Sequence, residues 1–338
     1  MSDRPVLLEV TDLSVGYRTE DGAVVTLVDR VGFTLHEREV LCLVGESGSG
    51  KSVTMLAVLG LLPDGLEILG GSVVYRGRDL LDLTPREWSA LRGAELAMVF
   101  QDPMTALNPV KRVGSQIARA VTAHTPGLGR RAVASRVETL LADVGVPEPA
   151  ERARSYPHEW SGGMRQRAVI AMAMANGPSV LVADEPTTAL DVTIQAQIMR
   201  VLADARERTE AAMILITHDL GLVAETADRI CIMYAGRVVE TGSVWDIFEH
   251  PTHPYTAGLL ASLLSSEHTG DRVYAIPGQP PSPASRGTGC PFASRCELPA
   301  KSELCLTTRP ALAPSGSSQS SACHFADATA DFAAEVTA

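Results

Sequence analysis

The chain has very little lysine and few aromatic residues. Only three of its 29 basic side chains are lysine, and aromatic residues make up 4% of the sequence. The net charge of −11 argues against nucleic acid as a partner, because duplex affinity comes largely from Lys and Arg on phosphates. Since 45% of the residues are nevertheless apolar, we expect an aliphatic interior of the kind found in a buried parallel sheet.

The sequence also has no long hydrophobic run. The longest, at 53–62, is about half of the ~20 residues that a bilayer span needs. The first ten residues lack the basic start and apolar block of a signal peptide. We therefore expect a cytosolic chain that reaches a membrane only through partner proteins, and in that setting a disulfide framework is not expected.

Short apolar runs alternate with helical patterns along most of the chain. This alternation predicts an α/β fold whose sheet is parallel, with helices on both faces. Asp21-Gly22 is a turn signal between the first two runs, and a helical pattern covers 52–62. The strand-like runs are 13–17, 24–28, 40–44, 96–100, 180–183, 213–217 and 230–234.

The composition changes near residue 250, where Pro, Gly and Ser clusters begin. Such clusters are typical of irregular structure, so we predict a separate tail there. The Ala-rich end is expected to be disordered. The predicted domains are 1–250, with core parts at about 5–100 and 165–250 and a helical insert at about 104–160, then a tail at 251–325 and a disordered end at 326–338.

GESGSGKS, at 45–52, matches the phosphate-loop pattern G-x-x-x-x-G-K-[ST] and stands between a buried strand and a helix. Glycines let backbone amides wrap a phosphate at the positive end of a helix. Lys51 is expected to reach the β and γ phosphates of ATP and Ser52 to bind Mg²⁺. A plain glycine-rich turn is the alternative, which the strand and helix disfavour. The predicted nucleotide contacts here are Gly45, Glu46, Ser47, Gly48, Ser49, Gly50, Lys51, Ser52 and Val53.

VLVADEP, at 180–186, is an apolar run that ends in two acids. Carboxylates at the end of a buried strand are costly unless they bind something. Asp184 is expected to hold Mg²⁺, directly or through water. Glu185 is expected to act on the attacking water as general base. The alternative is a simple cap for the next helix.

WSGGMRQR, at 160–167, resembles the LSGGQ signature of ABC-transporter ATPases. In that family the nucleotide lies between two subunits, and the signature of one meets the phosphate loop of the other. The resemblance implies the P-loop ABC ATPase fold, with a β-rich N-terminal subdomain, a parallel-sheet core and an inserted helical subdomain. It also implies ATP contacts from Ser161, Gly162, Gly163 and Met164. Trp160 and Met164 depart from the family pattern without removing its Ser-Gly-Gly core.

Other positions match the family one by one. Tyr17 is similar to the aromatic that stacks on adenine. Gln101 resembles the glutamine that touches Mg²⁺ and water and couples to the membrane subunits. Ala189 to Asp191 resemble the loop that crosses the dimer interface, and His218 resembles the histidine that contacts the γ-phosphate. A packing role for Tyr17 and a structural role for His218 are the alternatives.

Several segments narrow the resemblance to the D-type ATPase of dipeptide/oligopeptide importers, a branch that includes nickel importers. In that branch two related ATPases, usually a heterodimer, work under two permeases at the cytoplasmic face of the membrane. An extracytoplasmic solute-binding protein feeds the permeases. The alternatives are a nickel or other solute importer and, further off, a soluble ABC ATPase; a small-molecule kinase would not explain the signature. The segments are 101–110, 157–167, 183–198, 252–256 and the cysteine-containing tail.

Four of the six cysteines lie in the tail, with the spacing Cys290-x5-Cys296-x8-Cys305-x17-Cys323. Four thiolates suit an iron–sulfur cluster or structural Zn²⁺. Zinc sites usually contain a C-x₂₋₄-C pair, which this tail lacks. The family resemblance favours a [4Fe–4S] cluster, since some peptide-importer ATPases carry one here. Zn²⁺, disulfides and no metal at all stay open as alternatives.

Overall fold

The computed structural model describes residues 4–188, 190–267 and 274–337. The chain forms two compact units. The first unit comprises Met1–His36, Val40–Leu81 and Ile216–Ala338, and the second comprises Glu37–Glu39 and Asp82–Leu215. Neither unit begins or ends near residue 250, so the separate tail domain at 251–325 stays a prediction.

Both units combine strands with helices. The strands are β1 (Val6–Arg18), β2 (Val24–His36), β3 (Val40–Val44), β4 (Glu67–Tyr75), β5 (Arg78–Asp79), β6 (Leu96–Val99), β7 (Val180–Asp184), β8 (Ala212–Thr217), β9 (Arg229–Tyr234), β10 (Arg237–Ser243), β11 (Ala313–Pro314) and β12 (Ser320–Ser321). The α-helices are α1 (Lys51–Val58), α2 (Pro85–Leu91), α3 (Pro103–Ala106), α4 (Val113–His124), α5 (Arg130–Asp143), α6 (Pro149–Arg152), α7 (Gly162–Ala173), α8 (Val192–Thr209), α9 (Leu220–Thr226), α10 (Val244–Glu249), α11 (Pro254–Glu267), α12 (Glu303–Thr307) and α13 (Thr329–Thr337).

An antiparallel sheet of the order β2-β1-β4-β5 begins the first unit. Strands β1 and β2 form a hairpin around the predicted Asp21-Gly22 turn, with Arg18 opposite Val24. Both strands are longer than the runs predicted at 13–17 and 24–28. Their register shifts at several bulges, and each bulge interrupts the alternation by which a strand is recognised in sequence.

The phosphate loop of the first unit follows a strand of a second sheet, ordered β11-β12-β10-β9-β3. Strands β3 and β9 are parallel, whereas β10 runs antiparallel to β9. All five residues of β3 are buried, as a continuous apolar run in a parallel pair requires. The sheet is therefore mixed rather than purely parallel.

The second unit contains strands in the order β8-β7-β6 and most of the helices. Strands β6 and β7 are parallel, and the last two residues of β8 belong to the first unit. Helices α4 and α5 lie inside the predicted helical insert at 104–160. Elsewhere, α1 stops at Val58 instead of reaching residue 62, because Leu59 leaves helical geometry and caps its last turn.

The end of the chain corrects one expectation. We predicted disorder over 326–338, but residues 329–337 form α13. Phe332 anchors this helix in an apolar cluster with Ala257 of α11 and Leu298, which gives an Ala-rich segment enough buried surface to order. Within the described ranges, no helix is both long and apolar enough to cross a membrane.

Candidate functional site

The loop after β3 has the geometry of a phosphate-binding loop. A Cβ on Gly45 would lie 2.1 Å from the carbonyl oxygen of Met233, so only glycine fits where the loop leaves β3. Gly50 has a left-handed backbone, with φ of 101°, and caps the start of α1. The first helical residue is Lys51, so the loop amides lie at the positive end of the helix dipole.

Lys51 folds back along the loop. Its ammonium group donates to the carbonyl oxygens of Gly45 (2.7 Å) and Glu46 (3.0 Å) and approaches the Ser49 hydroxyl at 3.4 Å. The side chain is 5% exposed, so two backbone carbonyls and one side-chain hydroxyl surround a buried cation. Ser47 and Gly48 are exposed, and Gly50, Ser52 and Val53 are half-buried.

Residues from the C-terminal part of the chain also contact this loop. The Glu46 amide donates to the Tyr255 hydroxyl at 2.9 Å. Arg295 forms an ion pair with the Glu46 carboxylate at 2.8 Å. Tyr255 lies in THPYT and Arg295 in the cysteine segment, so both belonged to patterns noted in the sequence, but no local spacing connects them to residue 46.

The two predicted carboxylates lie at the end of β7 in the second unit. Asp184 is the last residue of the strand and is buried. Glu185 follows with a left-handed backbone, φ 42°, a conformation that is uncommon outside glycine and clusters at functional sites. Its Oε2 accepts hydrogen bonds from Gln101 Nε2 and Thr188 Oγ1, each at 2.9 Å. The structure thus brings together Gln101 and Glu185, two of the three predicted catalytic residues; Thr188 was not predicted.

The remaining predicted catalytic residue, His218, is exposed after β8. It precedes Asp219, which caps α9 by accepting a hydrogen bond from the Leu222 amide at 3.1 Å. Tyr17 is half-buried in β1, opposite Val25 of β2. Both predicted residues belong to the first unit, whereas Gln101, Asp184 and Glu185 belong to the second.

The signature segment forms the start of α7. Ser161 is the N-cap residue, and its hydroxyl accepts a hydrogen bond from the Met164 amide at 3.3 Å. Ser161 and Gly162 are exposed and Met164 is half-buried. A Cβ on Gly163 would lie 2.7 Å from the Ile194 side chain of α8, so this glycine permits close packing of the two helices.

Two further signature-region residues have clear positions. Trp160, one of the departures from the family pattern, is 2% exposed and belongs to the core. Asp191 caps α8 by accepting from the Ile194 amide at 3.0 Å. Ala189, in the predicted dimer-interface loop, lies outside the described residues. The cap on α8 gives Asp191 a structural role.

The four tail cysteines, far apart in sequence, line a single cavity. Burial raises the pKa of Cys290 to about 11 and that of Cys323 to about 12, and also raises the pKa of Cys296. None of the six cysteines, all of which lie within the described residues, forms a disulfide. No group of three or more ligating side chains within the described residues is arranged to hold a metal ion. The other lining residues include His253, Phe292, Leu298 and Phe325.

Comparisons with known proteins agree with this geometry. Residues 28–188 match the family model described as ABC transporter, and residues 239–305 match the C-terminal region of the oligopeptide/dipeptide transporter. In solved structures, this chain is similar to a dimeric bacterial ABC transporter cassette. The TM-score is 0.63 at 25% identity, covering 70% of this chain and 99% of that one.

Curated relatives cover more of the chain. A putative peptide import ATP-binding protein of Brucella abortus is 50% identical over 310 residues, 92% of each chain. A dipeptide transport ATP-binding protein of Bacillus subtilis is 47% identical over 291 residues, 86% of each. An oligopeptide transport ATP-binding protein of Mycobacterium tuberculosis is 50% identical over 318 residues. Those residues are 94% of this chain and 51% of the relative, so this chain spans about half the length of the mycobacterial protein.

Proposed function

Because this chain belongs to the family of peptide-transport ABC ATP-binding proteins, we propose that it hydrolyses ATP to drive the uptake of di- or oligopeptides. The observation that carries the ATPase assignment is the Gln101–Glu185 hydrogen bond of 2.9 Å beside the strand-end Asp184. Glu185 has an unusual backbone conformation, and two side-chain donors hold its carboxylate in place. A carboxylate fixed in this way can orient a water molecule for attack on a phosphoryl group.

The other predicted residues have separate roles in phosphoryl transfer. This reaction depends more on positioning the reacting groups and neutralising charge on the phosphate oxygens than on covalent chemistry. The loop amides and Lys51 would hold the phosphates, and Ser52, Asp184 and Gln101 are the residues that would hold Mg²⁺. When bound, Mg²⁺ neutralises charge that develops on the phosphate oxygens. His218 contacts the γ-phosphate and Tyr17 stacks on adenine.

The signature and its neighbours act across a dimer in this proposal. Ser161, Gly162, Gly163 and Met164 at the start of α7 face the nucleotide held by a second, related ATPase, and Asp191 lies at that interface. ATP binding closes the pair and hydrolysis reopens it. The dimeric cassette to which this chain is similar supports the arrangement. A heterodimer is proposed on the family resemblance.

The transporter context is also part of the proposal. Two permease subunits would hold the ATPase pair at the cytoplasmic face of the membrane, and an extracytoplasmic binding protein would deliver the peptide to them. The match of residues 239–305 to the oligopeptide/dipeptide transporter region supports peptide as cargo. Uptake of labelled peptide and of Ni²⁺, compared between cells with and without the gene, separates the two cargoes. Loss of Ni²⁺ uptake alone would overturn the peptide assignment, and loss of neither would favour a soluble ABC ATPase.

For the tail we propose a [4Fe–4S] cluster held by Cys290, Cys296, Cys305 and Cys323. The described side chains do not converge on a single metal ion, but a cluster is bound by four thiolates on different irons, which need not meet at one point. The four thiols line one cavity, together with Phe292, Leu298 and Phe325, and are the donor set that such a cluster uses. A single Zn²⁺ would instead need four sulfurs about 2.3 Å from one point. Protein purified without oxygen should contain iron and acid-labile sulfide in equal amounts. Zinc in place of both, or no metal, would overturn the cluster.

The ATPase assignment is tested with Glu185→Gln. The amide keeps the size of the side chain, and its oxygen can still accept from Gln101 and Thr188, so ATP binding should persist. Turnover should fall about a hundredfold or more, the contribution expected of a general base. The matched control is Glu207→Gln, at an exposed position on α8, which should leave turnover unchanged. Turnover in Glu185→Gln equal to that of the control would remove Glu185 from catalysis.

A further inference from the structure

Glu46, the second residue of the phosphate loop, is held from three directions. Its carbonyl oxygen accepts from Lys51 Nζ at 3.0 Å, and its amide donates to the Tyr255 hydroxyl at 2.9 Å. Its carboxylate pairs with Arg295 at 2.8 Å. The first contact is internal to the loop. The other two come from residues more than 200 positions away, on segments that the nucleotide chemistry itself does not need.

Arg295 is a buried cation with several hydrogen-bond partners. Its side chain is 6% exposed, against 27% for that of Glu46. Besides Glu46 it donates to the Pro277 carbonyl at 2.8 Å and to the Tyr234 hydroxyl at 3.3 Å. Burial alone would lower the pKa of Arg295, but the bonds to Glu46 and Tyr234 outweigh it and raise the pKa. The guanidinium is therefore fixed in place, and the loop carboxylate is its ionic partner.

Tyr255 is fixed as firmly as Arg295. It has no exposed surface, and its ring centroid lies 4.7 Å from that of Tyr234 and 5.4 Å from that of Phe292. Aromatic pairs at these separations are favourable and rigid. Its hydroxyl therefore presents a preformed acceptor to the Glu46 amide. Burial raises the pKa of Tyr255 well above the ordinary value, so the hydroxyl stays neutral.

Arg295 lies in the segment that carries the thiols, and Tyr255 packs against Phe292 of that segment. Residues 290–295 form a turn with two backbone hydrogen bonds. The Arg295 amide donates to the Phe292 carbonyl at 2.9 Å, and the Ala293 amide donates to the Cys290 carbonyl at 3.0 Å. Phe292 itself lines the cysteine cavity. One short turn thus separates the thiols from the cation that pairs with Glu46.

From these contacts we infer that Arg295 and Tyr255, here called the Glu46 clamp, are positioning residues that set the affinity of the phosphate loop for nucleotide. The inference rests on the proposed function, since it requires that the loop bind ATP. With Glu46 held on its amide and its carboxylate, its carbonyl stays where Lys51 contacts it. Without the clamp the loop populates further conformations, and its affinity for nucleotide falls in proportion to the fraction of molecules whose loop is still able to bind.

The first experiment measures the dissociation constant of a fluorescent ATP analogue with Mg²⁺, using the full chain. Arg295→Gln should raise the constant about fivefold or more, at the lower end of couplings between distinct sites. Arg295→Lys should recover part of the loss, because it keeps the charge without the fork of donors. Tyr255→Phe removes one oxygen and keeps the ring, so it tests the clamp even if Arg295→Gln fails to fold; it should also weaken binding.

The matched control is Arg309→Gln. Arg309 also comes from the C-terminal part of the first unit and pairs with a carboxylate, Asp29, at 2.7 Å, but it does not touch the phosphate loop. Its loss can lower the thermal midpoint of unfolding while leaving nucleotide affinity at the parent value. This control separates a general loosening of the tail from a specific effect on the loop.

A double-mutant cycle supplies the readout that a purely structural role would not move. Glu46→Gln and Arg295→Gln act through one ion pair, so the double variant should bind no more weakly than the weaker single variant. Single effects that add, or folded Arg295→Gln and Tyr255→Phe proteins with parent affinity, would overturn the clamp while leaving the ATPase proposal intact. A parent protein that binds no ATP analogue would overturn both.

Discussion

Replacement of Gly45 by alanine tests the close approach on which the phosphate loop depends. The added Cβ would lie 2.1 Å from the Met233 carbonyl oxygen, and the residue has φ of 157°. Ordinary C···O contacts are about 3.3 Å or longer, so β3 and β9 would have to separate by about 1 Å. The steric cost is about 1–3 kcal/mol, and the unusual backbone adds about 1–3 kcal/mol.

Gly48→Ala is the control within the same loop. Gly48 also has a positive φ, 78°, but a Cβ there would meet nothing within 4 Å, so only a backbone cost of about 1–2 kcal/mol applies. A difference of about 2 kcal/mol corresponds to about 4–8 °C in the midpoint of thermal unfolding for a unit of this size. Circular dichroism without nucleotide measures it. Equal midpoints for the two variants would refute the argument from close approach.

Two further predictions concern the C-terminal part of the chain. Phe332→Ala should release α13 and expose 329–337 to proteases, because losing a buried Phe costs about 3–5 kcal/mol. The control Leu306→Ala, at a residue that is 58% exposed, should not increase cleavage. Equal cleavage of the two variants in limited proteolysis would contradict the packing of α13. Burial raises the pKa of Glu240 above 4.5, so the stability it contributes is complete below that pH and is lost as pH rises through the folded-state pKa. Glu240→Gln should flatten this part of the profile of thermal midpoint against pH, and an unchanged slope would exclude Glu240 as its source.

The sequence predicted best where one local pattern determines the structure. Continuous apolar runs at 40–44 and 180–183 became β3 and β7, because a strand buried on both faces needs an apolar side chain at every position. The motifs around Gln101 and Glu185 predict a catalytic role for each residue, which stays a prediction, but neither motif predicts the hydrogen bond between them. A local pattern of a few neighbouring residues therefore predicts a strand or a motif, but not a contact between two motifs.

The features that the sequence does not predict depend on contacts between residues that are far apart in the chain. Strand β4 contains Gly70 and Gly71, which would ordinarily indicate a turn. A Cβ on Gly71 would lie 2.6 Å from the Leu13 backbone, at the shift in register between β1 and β4, so these glycines serve a bulge inside the sheet. The order of α13 likewise depends on Phe332 meeting Leu298, and the Glu46–Arg295 pair joins residues 249 positions apart. No local period records such contacts.

The contacts of the C-terminal part of the chain also give a structural reason for the low number of lysines. Arginines from the C-terminal part of the first unit bind its N-terminal part: Arg237 and Arg309 share Asp29, Arg286 donates to the Thr26 and Leu27 carbonyls, and Arg295 pairs with Glu46. All four cations are half-buried or buried, and a guanidinium is less strongly hydrated than an ammonium and therefore suits such positions better. Arg295 in addition uses all three of its nitrogens as donors. Lys51 in the phosphate loop has a different role, because its long side chain has to bring a compact point charge to the phosphates. Exchanging the two residue types would therefore weaken both the attachment of the tail and the binding of nucleotide.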